Sequence, residues 1–190
     1  MKVSVCMTTY NHEKFISQAI DSVLMQKADF DYELLIGEDD SEDQTRDIVK
    51  NFAGKYPDKI RLFLNDRKNV IYINGRPTGR WNFINLLKHA RGEYVALLDG
   101  DDYWTDPLKL QKQIAFLENH LDYFLCIHPC EFLIHNTDGS IIKNKQDGFY
   151  WVINLEDHPN SFLLDQSFQN FLPSQMKEDQ ETMVIFQPTI

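Results

Sequence analysis

The chain has 190 residues, 43% of them hydrophobic and 13% aromatic, which is enough to bury a core and predicts one structural domain. Nineteen basic against 29 acidic side chains give a formal charge of -10, which argues against nucleic acid or an anionic membrane surface as a direct partner. Three cysteines without a secretory leader favour reduced thiols and a cytoplasmic location, and no apolar run approaches the roughly 20 residues that span a bilayer.

The apolar pattern alternates between strand-like and helix-like periods, which is typical of an α/β fold. The predicted elements are, in chain order, a strand at 3–7, a helix at 15–24, a strand at 32–36, a helix at 44–56, a strand at 60–64, a polar loop at 65–80, a helix at 81–90, a strand at 94–98 and a helix at 107–119. Asn11 stands where the cap of the first helix belongs, Gly92 follows the third helix, and Pro107 opens the fourth. This order predicts a parallel sheet with ligands beyond the carboxyl ends of its strands.

Three polar clusters stand at predicted strand ends, at residues 8–11, 38–45 and 99–102. In the third, an apolar strand runs directly into Asp99, Asp101 and Asp102. Like charges this close raise one another's pKa or recruit a cation, and carboxylate oxygens suit Mg²⁺ or Mn²⁺ rather than zinc. The end of this strand is therefore predicted to be a metal site.

The other two clusters favour a nucleotide. A tyrosine face and a threonine hydroxyl can stack on and hydrogen-bond a planar base, and a carboxylate accepts from a ring N–H such as that of uracil. A divalent ion held by Asp101 across a diphosphate would act as a Lewis acid on the departing nucleoside diphosphate. The predicted chemistry is transfer of a group from an activated nucleotide.

Three segments carry a family resemblance: Val3 to Asn11 with the helix after it, Glu38 to Thr45, and Ala90 to Leu110 resemble the family 2 glycosyltransferases of the GT-A fold. The second block usually reads Asp-Asp-Gly-Ser-Thr-Asp-Gly-Thr, and Glu38 replaces its first aspartate. The third matches the DXD region of the family through Leu98-Asp99-Gly100-Asp101-Asp102. The resemblance covers about residues 1–120 and implies a Rossmann-like fold, with a mostly parallel central sheet flanked by helices and a C-terminal hairpin region.

By this resemblance Thr8, Tyr10 and Glu38 hold the base, Asp99 the ribose or phosphate side, and Asp101 the metal, Mn²⁺ or Mg²⁺. The implied reaction transfers a sugar with inversion from a nucleotide-sugar donor, UDP-linked by preference, to a hydroxyl of a glycan or lipid-linked acceptor. Bacterial polysaccharide or cell-envelope glycan synthesis fits the family, at the cytoplasmic face of a membrane and with any membrane association through partners. The sugar, the acceptor and the oligomeric state are left open.

An inverting transfer also needs a carboxylate that removes the proton from the acceptor hydroxyl. The family places this base after the DXD block, and the late acidic pair here is Glu178 and Asp179. Asp179 is the candidate base, with Glu178 as its alternative, although their flanks do not match the family and a solvated helix face is the favoured explanation of the pair. Residues 121–190 are predicted to form the acceptor side and to be short or divergent.

Other functions remain open at this level. A phosphatase of the haloacid dehalogenase type would use Asp99 as nucleophile and Asp101 as acid, but its motif stands nearer the start of the chain. A nucleotidyltransferase shares the nucleotide pocket and the metal, but no glycine-rich, lysine-bearing turn follows the first strand. A third alternative is a nucleotide-sugar-binding remnant without catalysis, which would bind the donor without turnover.

Two further groups have competing interpretations. Cys126, His128 and Cys130 alternate as soft metal ligands would on one face of a strand, but a buried strand edge explains them better because no fourth ligand is suitably spaced. Arg76 and Arg80 either reach a phosphate or lie in a solvated loop. Residues 132–135 and 141–143 are predicted to pair as a hairpin around the turn at 137–140.

Overall fold

The structure is a computed structural model that describes residues 1–127, 131–135, 141–145, 152–154 and 184–186. Its elements are β1 (Val3–Thr9), α1 (Ile16–Leu24), β2 (Tyr32–Glu38), α2 (Thr45–Lys55), β3 (Ile60–Leu64), a 3₁₀ helix (Arg67–Asn69), β4 (Ile71–Ile73), β5 (Arg76–Thr78), α3 (Arg80–His89), β6 (Tyr94–Asp99), α4 (Lys109–Asn119), β7 (Tyr123–Ile127), β8 (Glu131–His135), β9 (Ile141–Lys145), β10 (Val152–Asn154) and β11 (Val184–Phe186). No helix within these ranges is long and apolar enough to cross a membrane.

The central sheet has the order β10-β7-β11-β6-β1-β2-β3 among the described strands. Strands β6, β1, β2 and β3 are parallel, whereas β11 is antiparallel to β6 and β7, and β10 is antiparallel to β7. The predicted α/β fold with a mostly parallel sheet is confirmed. Because β1 lies between β2 and β6, the carboxyl ends of these three strands meet at one edge of the sheet.

Helices cover both faces of the sheet, so both sets of alternating strand residues are buried. On one face, Val5 and Met7 of β1 belong to a core that also contains Ile20 of α1, Val49 of α2 and Ile114 of α4. The opposite face packs α3, and its core residues are Cys6, Leu35, Leu86, Val95, Phe124 and Leu125. This burial fixes the register of the strands and thereby holds the strand ends in place.

Two local predictions were wrong. Asn11 does not cap α1, which begins at Ile16 without a side-chain cap. Asn11 has a φ of 56°, a left-handed conformation that asparagine tolerates, and its side chain binds a neighbouring loop instead. The segment at 65–80 is not a plain loop, because the 3₁₀ helix and the β4–β5 hairpin lie within it, with Asn74 and Gly75 at positive φ in the turn. Asn-Gly is the usual signal for such a turn.

The predicted C-terminal hairpin is present. Strands β8 and β9 pair antiparallel, with His135 opposite Ile141. The turn between them lies outside the described residues.

Candidate functional site

The ends of β1, β2 and β6 bring the three polar clusters together. Thr9 pairs with Glu38 across β1 and β2, and Thr8 pairs with Asp99 across β1 and β6. The Thr8 hydroxyl donates a hydrogen bond to the Asp99 carboxylate. Backbone hydrogen bonds continue past the strand ends. The N–H of Asp39 donates to the carbonyl oxygen of Thr9 (3.0 Å), and the N–H of Gly100 donates to the carbonyl oxygen of Thr8 (2.8 Å). The predicted convergence is therefore observed.

Two loops at this edge hold one another by reciprocal hydrogen bonds. Side chains of the loop before α2 accept from backbone N–H groups of the loop after β1, and the reverse also occurs. The donor and acceptor pairs are Asn11 N–H with Ser41 Oγ (2.9 Å), His12 N–H with Thr45 Oγ1 (2.8 Å), Glu13 N–H with Asp43 Oδ2 (3.0 Å), Glu42 N–H with Asn11 Oδ1 (2.9 Å) and Gln44 N–H with Glu13 Oε2 (3.1 Å). Residues 41–45 of the second polar cluster thus fix the loop after β1 against the start of α2.

Glu38 lies beneath the surface of the site. Its side chain has no exposed area, one carboxylate oxygen accepts from the Ser41 N–H at 2.7 Å, and the other pairs with the guanidinium of Arg46. Arg46 also donates to the carbonyl oxygen of Asn65 at 2.9 Å. Because a buried carboxylate needs such partners, Glu38 is held by the protein itself in this structure.

Asp39, the next residue, faces a different arginine. Asp39 Oδ2 lies 3.6 Å from the guanidinium of Arg67, whose Cζ lies 4.0 Å from the centre of the Tyr10 ring. Burial raises the pKa of the Asp39 carboxyl, while the positive charge of Arg67 acts in the opposite direction. A flat aromatic and guanidinium surface beside a carboxylate results, which is suited to a planar ligand with N–H donors.

The sequence analysis missed both arginines. Arg67 follows the end of β3, the fourth parallel strand of this edge, in an Asp-Arg-Lys run that was a usable signal. Arg46 lies in the first turn of α2 and carried no signal of its own.

The side chain of Asp99 is partly accessible to solvent. Many protein atoms nevertheless lie around its carboxylate and desolvate it. Desolvation raises the pKa of the Asp99 carboxyl, the hydrogen bond from Thr8 lowers it, and the negative charge of Asp101 raises it further. A carboxylate in such surroundings is stabilised when a cation binds nearby. Asp101 is itself exposed, with 40% of its side chain accessible, and so is free to meet a ligand.

The loop after β6 is held by a backbone hydrogen bond and by a buried tryptophan. The Asp102 N–H donates to the Asp99 carbonyl oxygen at 3.1 Å, and Trp104 is buried. The ammonium group of Lys109 lies 4.2 Å from the centre of the Trp104 ring and 2.6 Å from Gln113 Oε1. This packing fixes the loop after β6, which carries Asp101.

The oxygen ligands at this edge fit a hard divalent cation such as Mg²⁺ or Mn²⁺. Within the described ranges, however, no three His, Cys, Asp or Glu side chains lie close enough together to hold a metal ion by themselves. A cation on Asp101 would therefore need further ligands from a bound molecule, from water or from residues outside these ranges. Mg²⁺ commonly binds in this way, through one or two carboxylates and substrate phosphates.

Several sequence candidates make no contribution to the part of this site that the structure describes. Asp179, Glu178, His128 and Cys130 lie outside the described residues. Cys126 lies in β7, with its sulfur 3.7 Å from the side-chain amide nitrogen of Gln113.

Comparisons with known proteins agree with this geometry. The family model described as Glycosyl transferase family 2 matches residues 4–169. The putative glycosyltransferase EpsE of Bacillus subtilis is 40% identical over 122 residues, which are 64% of this chain and 40% of that protein. The UDP-Glc:alpha-D-GlcNAc-diphosphoundecaprenol beta-1,3-glucosyltransferase WfgD of Escherichia coli is 38% identical over 122 residues, or 64% of this chain and 43% of that protein.

Among solved structures, S. aureus TarS 1-349 in complex with UDP is similar, with a TM-score of 0.51 and 31% identity. The similarity covers 66% of this chain and 34% of that one. The same TarS fragment in complex with UDP-GlcNAc gives a TM-score of 0.50 and 33% identity. The likeness places the present fold among the GT-A glycosyltransferases. This chain spans less than half of the length of each of these proteins.

Proposed function

The chain belongs to the family 2 glycosyltransferases, and we propose that it transfers a sugar from a nucleotide-sugar donor to an acceptor hydroxyl. One observation carries the proposal: a planar surface of Tyr10 and Arg67 and an exposed pair of aspartates, Asp99 and Asp101, stand at the same edge of the sheet. The first suits a base, and the second suits a metal-bound diphosphate. A nucleotide sugar joins these two groups in one molecule.

We assign the base to Tyr10, the hydroxyl of Thr8 and the carboxylate of Asp39. Asp39 replaces Glu38 in direct contact, because Glu38 is fully buried and already paired with Arg46, and we give Glu38 the role of supporting the base pocket from below. A carboxylate that accepts from a ring N–H favours uracil. UDP as the nucleotide is further supported by the names of two relatives, since WfgD is a UDP-Glc enzyme and TarS was solved with UDP.

We assign Asp101 to the divalent cation, Mn²⁺ or Mg²⁺, and Asp99 to the ribose or phosphate side. When bound, the cation supplies a Lewis acid for the charge on the departing nucleoside diphosphate. The Thr8 hydroxyl fixes the orientation of Asp99, and the anchored loop after β6 fixes that of Asp101. The net charge of -10 makes a cation the natural means of holding a diphosphate here.

The acceptor side is proposed to come from residues after 120, with residues 1–120 as the donor half. Asp179, or Glu178 in its place, would take the proton from the acceptor hydroxyl, and attack opposite the leaving group would invert the anomeric centre. A glycan or lipid-linked acceptor of the cell envelope, used at the cytoplasmic face of a membrane, is supported by the diphosphoundecaprenol acceptor in the name of WfgD.

Thermal unfolding with Mn²⁺ and a panel of UDP, GDP, CDP and dTDP tests the donor site. A ligand at ~100 times its Kd adds about 2.7 kcal/mol and raises Tm by several degrees. A metal-dependent shift with one nucleotide supports the proposal, and no shift with any of them contradicts it. Hydrolysis of the matching nucleotide sugar then separates a transferase from a binding protein, because the latter shifts Tm without turnover.

A further inference from the structure

Two buried polar atoms at this site have no hydrogen-bond partner in the part of the chain that the structure describes. They are Thr9 Oγ1 and His12 Nδ1. Both border the same small space in front of Gly100, where an added Cβ would lie 2.6 Å from Thr9 Oγ1 and 2.9 Å from His12 Nδ1. A buried polar group without a partner costs about 1–3 kcal/mol, and such groups commonly mark a functional constraint.

The other ring nitrogen of His12 faces the proposed metal ligand. His12 Nε2 lies 3.7 Å from Asp101 Oδ2, within ion-pair range but longer than a hydrogen bond. The backbone of His12 is fixed by its hydrogen bond to Thr45 Oγ1. A small rotation of the imidazole or of the carboxylate therefore suffices to join the two side chains.

A neutral imidazole carries its proton on one ring nitrogen, and a hydrogen bond to the other nitrogen selects which one. Thr9 Oγ1 borders the same space as His12 Nδ1 but is not hydrogen-bonded to it in this structure, and its hydroxyl has no other partner among the described residues. If Thr9 donates to Nδ1, the ring proton is on Nε2 and points toward Asp101. In metal sites, partners of this kind orient the ligand, and their loss typically weakens metal affinity by about 10–100-fold.

We propose that His12 is a positioning residue: after a small rotation Nε2–H donates to Asp101 Oδ2 and the Thr9 hydroxyl donates to Nδ1, so that the Asp101 carboxylate is held in place for the divalent cation. This inference rests on the proposed function, because it takes Asp101 as the metal ligand. Gly100 is part of the same arrangement, since any side chain there would displace Thr9 or His12.

The variants separate positioning from packing. Thr9→Val keeps the shape of the side chain and removes only a hydroxyl that has no partner in the described fold, so stability should be unchanged or slightly higher. Thr9→Ser keeps the hydroxyl. Gly100→Ala intrudes on the space, whereas Gly54→Ala, in open space on α2, is its matched control.

The experiment measures Mn²⁺ affinity by electron paramagnetic resonance of free Mn²⁺ in the presence of saturating UDP. We expect His12→Asn, Thr9→Val and Gly100→Ala each to weaken Mn²⁺ binding about 10-fold. Thr9→Ser and Gly54→Ala should bind Mn²⁺ like the wild type. If Asp101→Asn loses Mn²⁺ while Thr9→Val and His12→Asn retain it, the role of His12 is wrong and the metal site stands. If Asp101→Asn binds Mn²⁺ normally, the metal assignment itself fails, and the inference fails with it.

A second readout needs no metal. The ¹⁵N chemical shifts of the His12 ring in the protein alone should show the Nε2–H tautomer, and Thr9→Val should reduce its population. A ring that carries its proton on Nδ1 in the wild type would overturn the inference. This readout tests the bond between Thr9 and the imidazole independently of metal binding and of stability, and the Mn²⁺ titration tests its effect on Asp101.

Discussion

The guanidinium of Arg67 lies 4.0 Å from the centre of the Tyr10 ring, although 56 residues separate the two in the chain. Arg67 follows β3 and Tyr10 follows β1, so the stack links strand ends that are not neighbours in the sheet. Asp39 follows β2, which lies between β1 and β3, and its Oδ2 atom lies 3.6 Å from the guanidinium of Arg67. Together these residues form the surface to which we assign the base.

Replacing Arg67 by lysine should weaken UDP binding by about 5- to 10-fold, because an ammonium group neither stacks on Tyr10 nor spans the same contacts as a guanidinium. Isothermal titration calorimetry with UDP and Mn²⁺ measures the change. Arg91→Lys is the control, since Arg91 is exposed and precedes β6 at the opposite edge of the sheet. Equal UDP affinities for the wild type and Arg67→Lys would remove Arg67 from the base pocket.

Replacing Arg46 by methionine should destabilise the fold by about 3 kcal/mol, because Glu38 would keep a buried charge without its partner. Urea unfolding measures the free energy. Lys50→Met on the same helix removes only an exposed pair with Asp47 and should change stability by less than about 1 kcal/mol. Normal stability in Arg46→Met with loss of UDP binding would instead indicate that Glu38 contacts the ligand.

Asp101→Ala should abolish the dependence of UDP binding on Mn²⁺ while leaving the fold intact, because 40% of the side chain is exposed. Titration of UDP with and without Mn²⁺ tests this directly. Asp58→Asn, an exposed aspartate before β3 at the far edge, should behave like the wild type. If Mn²⁺ strengthens UDP binding to Asp101→Ala as much as it does to the wild type, the cation binds elsewhere.

Lys109 should make stability depend on pH. Desolvation lowers the pKa of this buried ammonium from 10.5 to about 7. Between pH 7 and pH 10.5 Lys109 is protonated in the unfolded chain but not in the native chain. The free energy of unfolding therefore rises with pH through this range. Below pH 7 the contribution of Lys109 to stability is at its lowest. We expect the free energy of unfolding of the wild type to rise relative to that of Lys109→Met from pH 7 to pH 9, by up to about 1.4 kcal/mol per pH unit.

Chemical denaturation of both proteins across this pH range measures the difference. Comparing wild type with Lys109→Met cancels groups common to both, such as Cys6, whose pKa burial raises to about 12. Parallel stability curves would show that the Lys109 ammonium keeps its proton in the folded protein.

Periodicity predicted the elements well where one pattern dominated. The third strand was predicted at 60–64, and the structure has Ile60–Leu64, because apolar residues stand at every second position, Ile60, Leu62 and Leu64. The segment at 65–80 was predicted as a loop because polar residues dominate it, and its hairpin depends on two turn residues, Asn74 and Gly75. Asn11 was predicted as a cap from its position alone, and its contacts lie in a loop about 30 residues further on.

The sequence by itself determined the alternation of strands and helices, the acidic run at 99–102 and the placement of polar residues after strands, because these follow from local pattern and from the chain order of the elements. Only the tertiary structure decided which partner each of two neighbouring buried carboxylates has. Glu38 and Asp39 are adjacent and chemically alike, yet one pairs with Arg46 and the other with Arg67. Partners such as these come from distant elements, and the packing of α2 and the loop after β3 on the strand ends selects them.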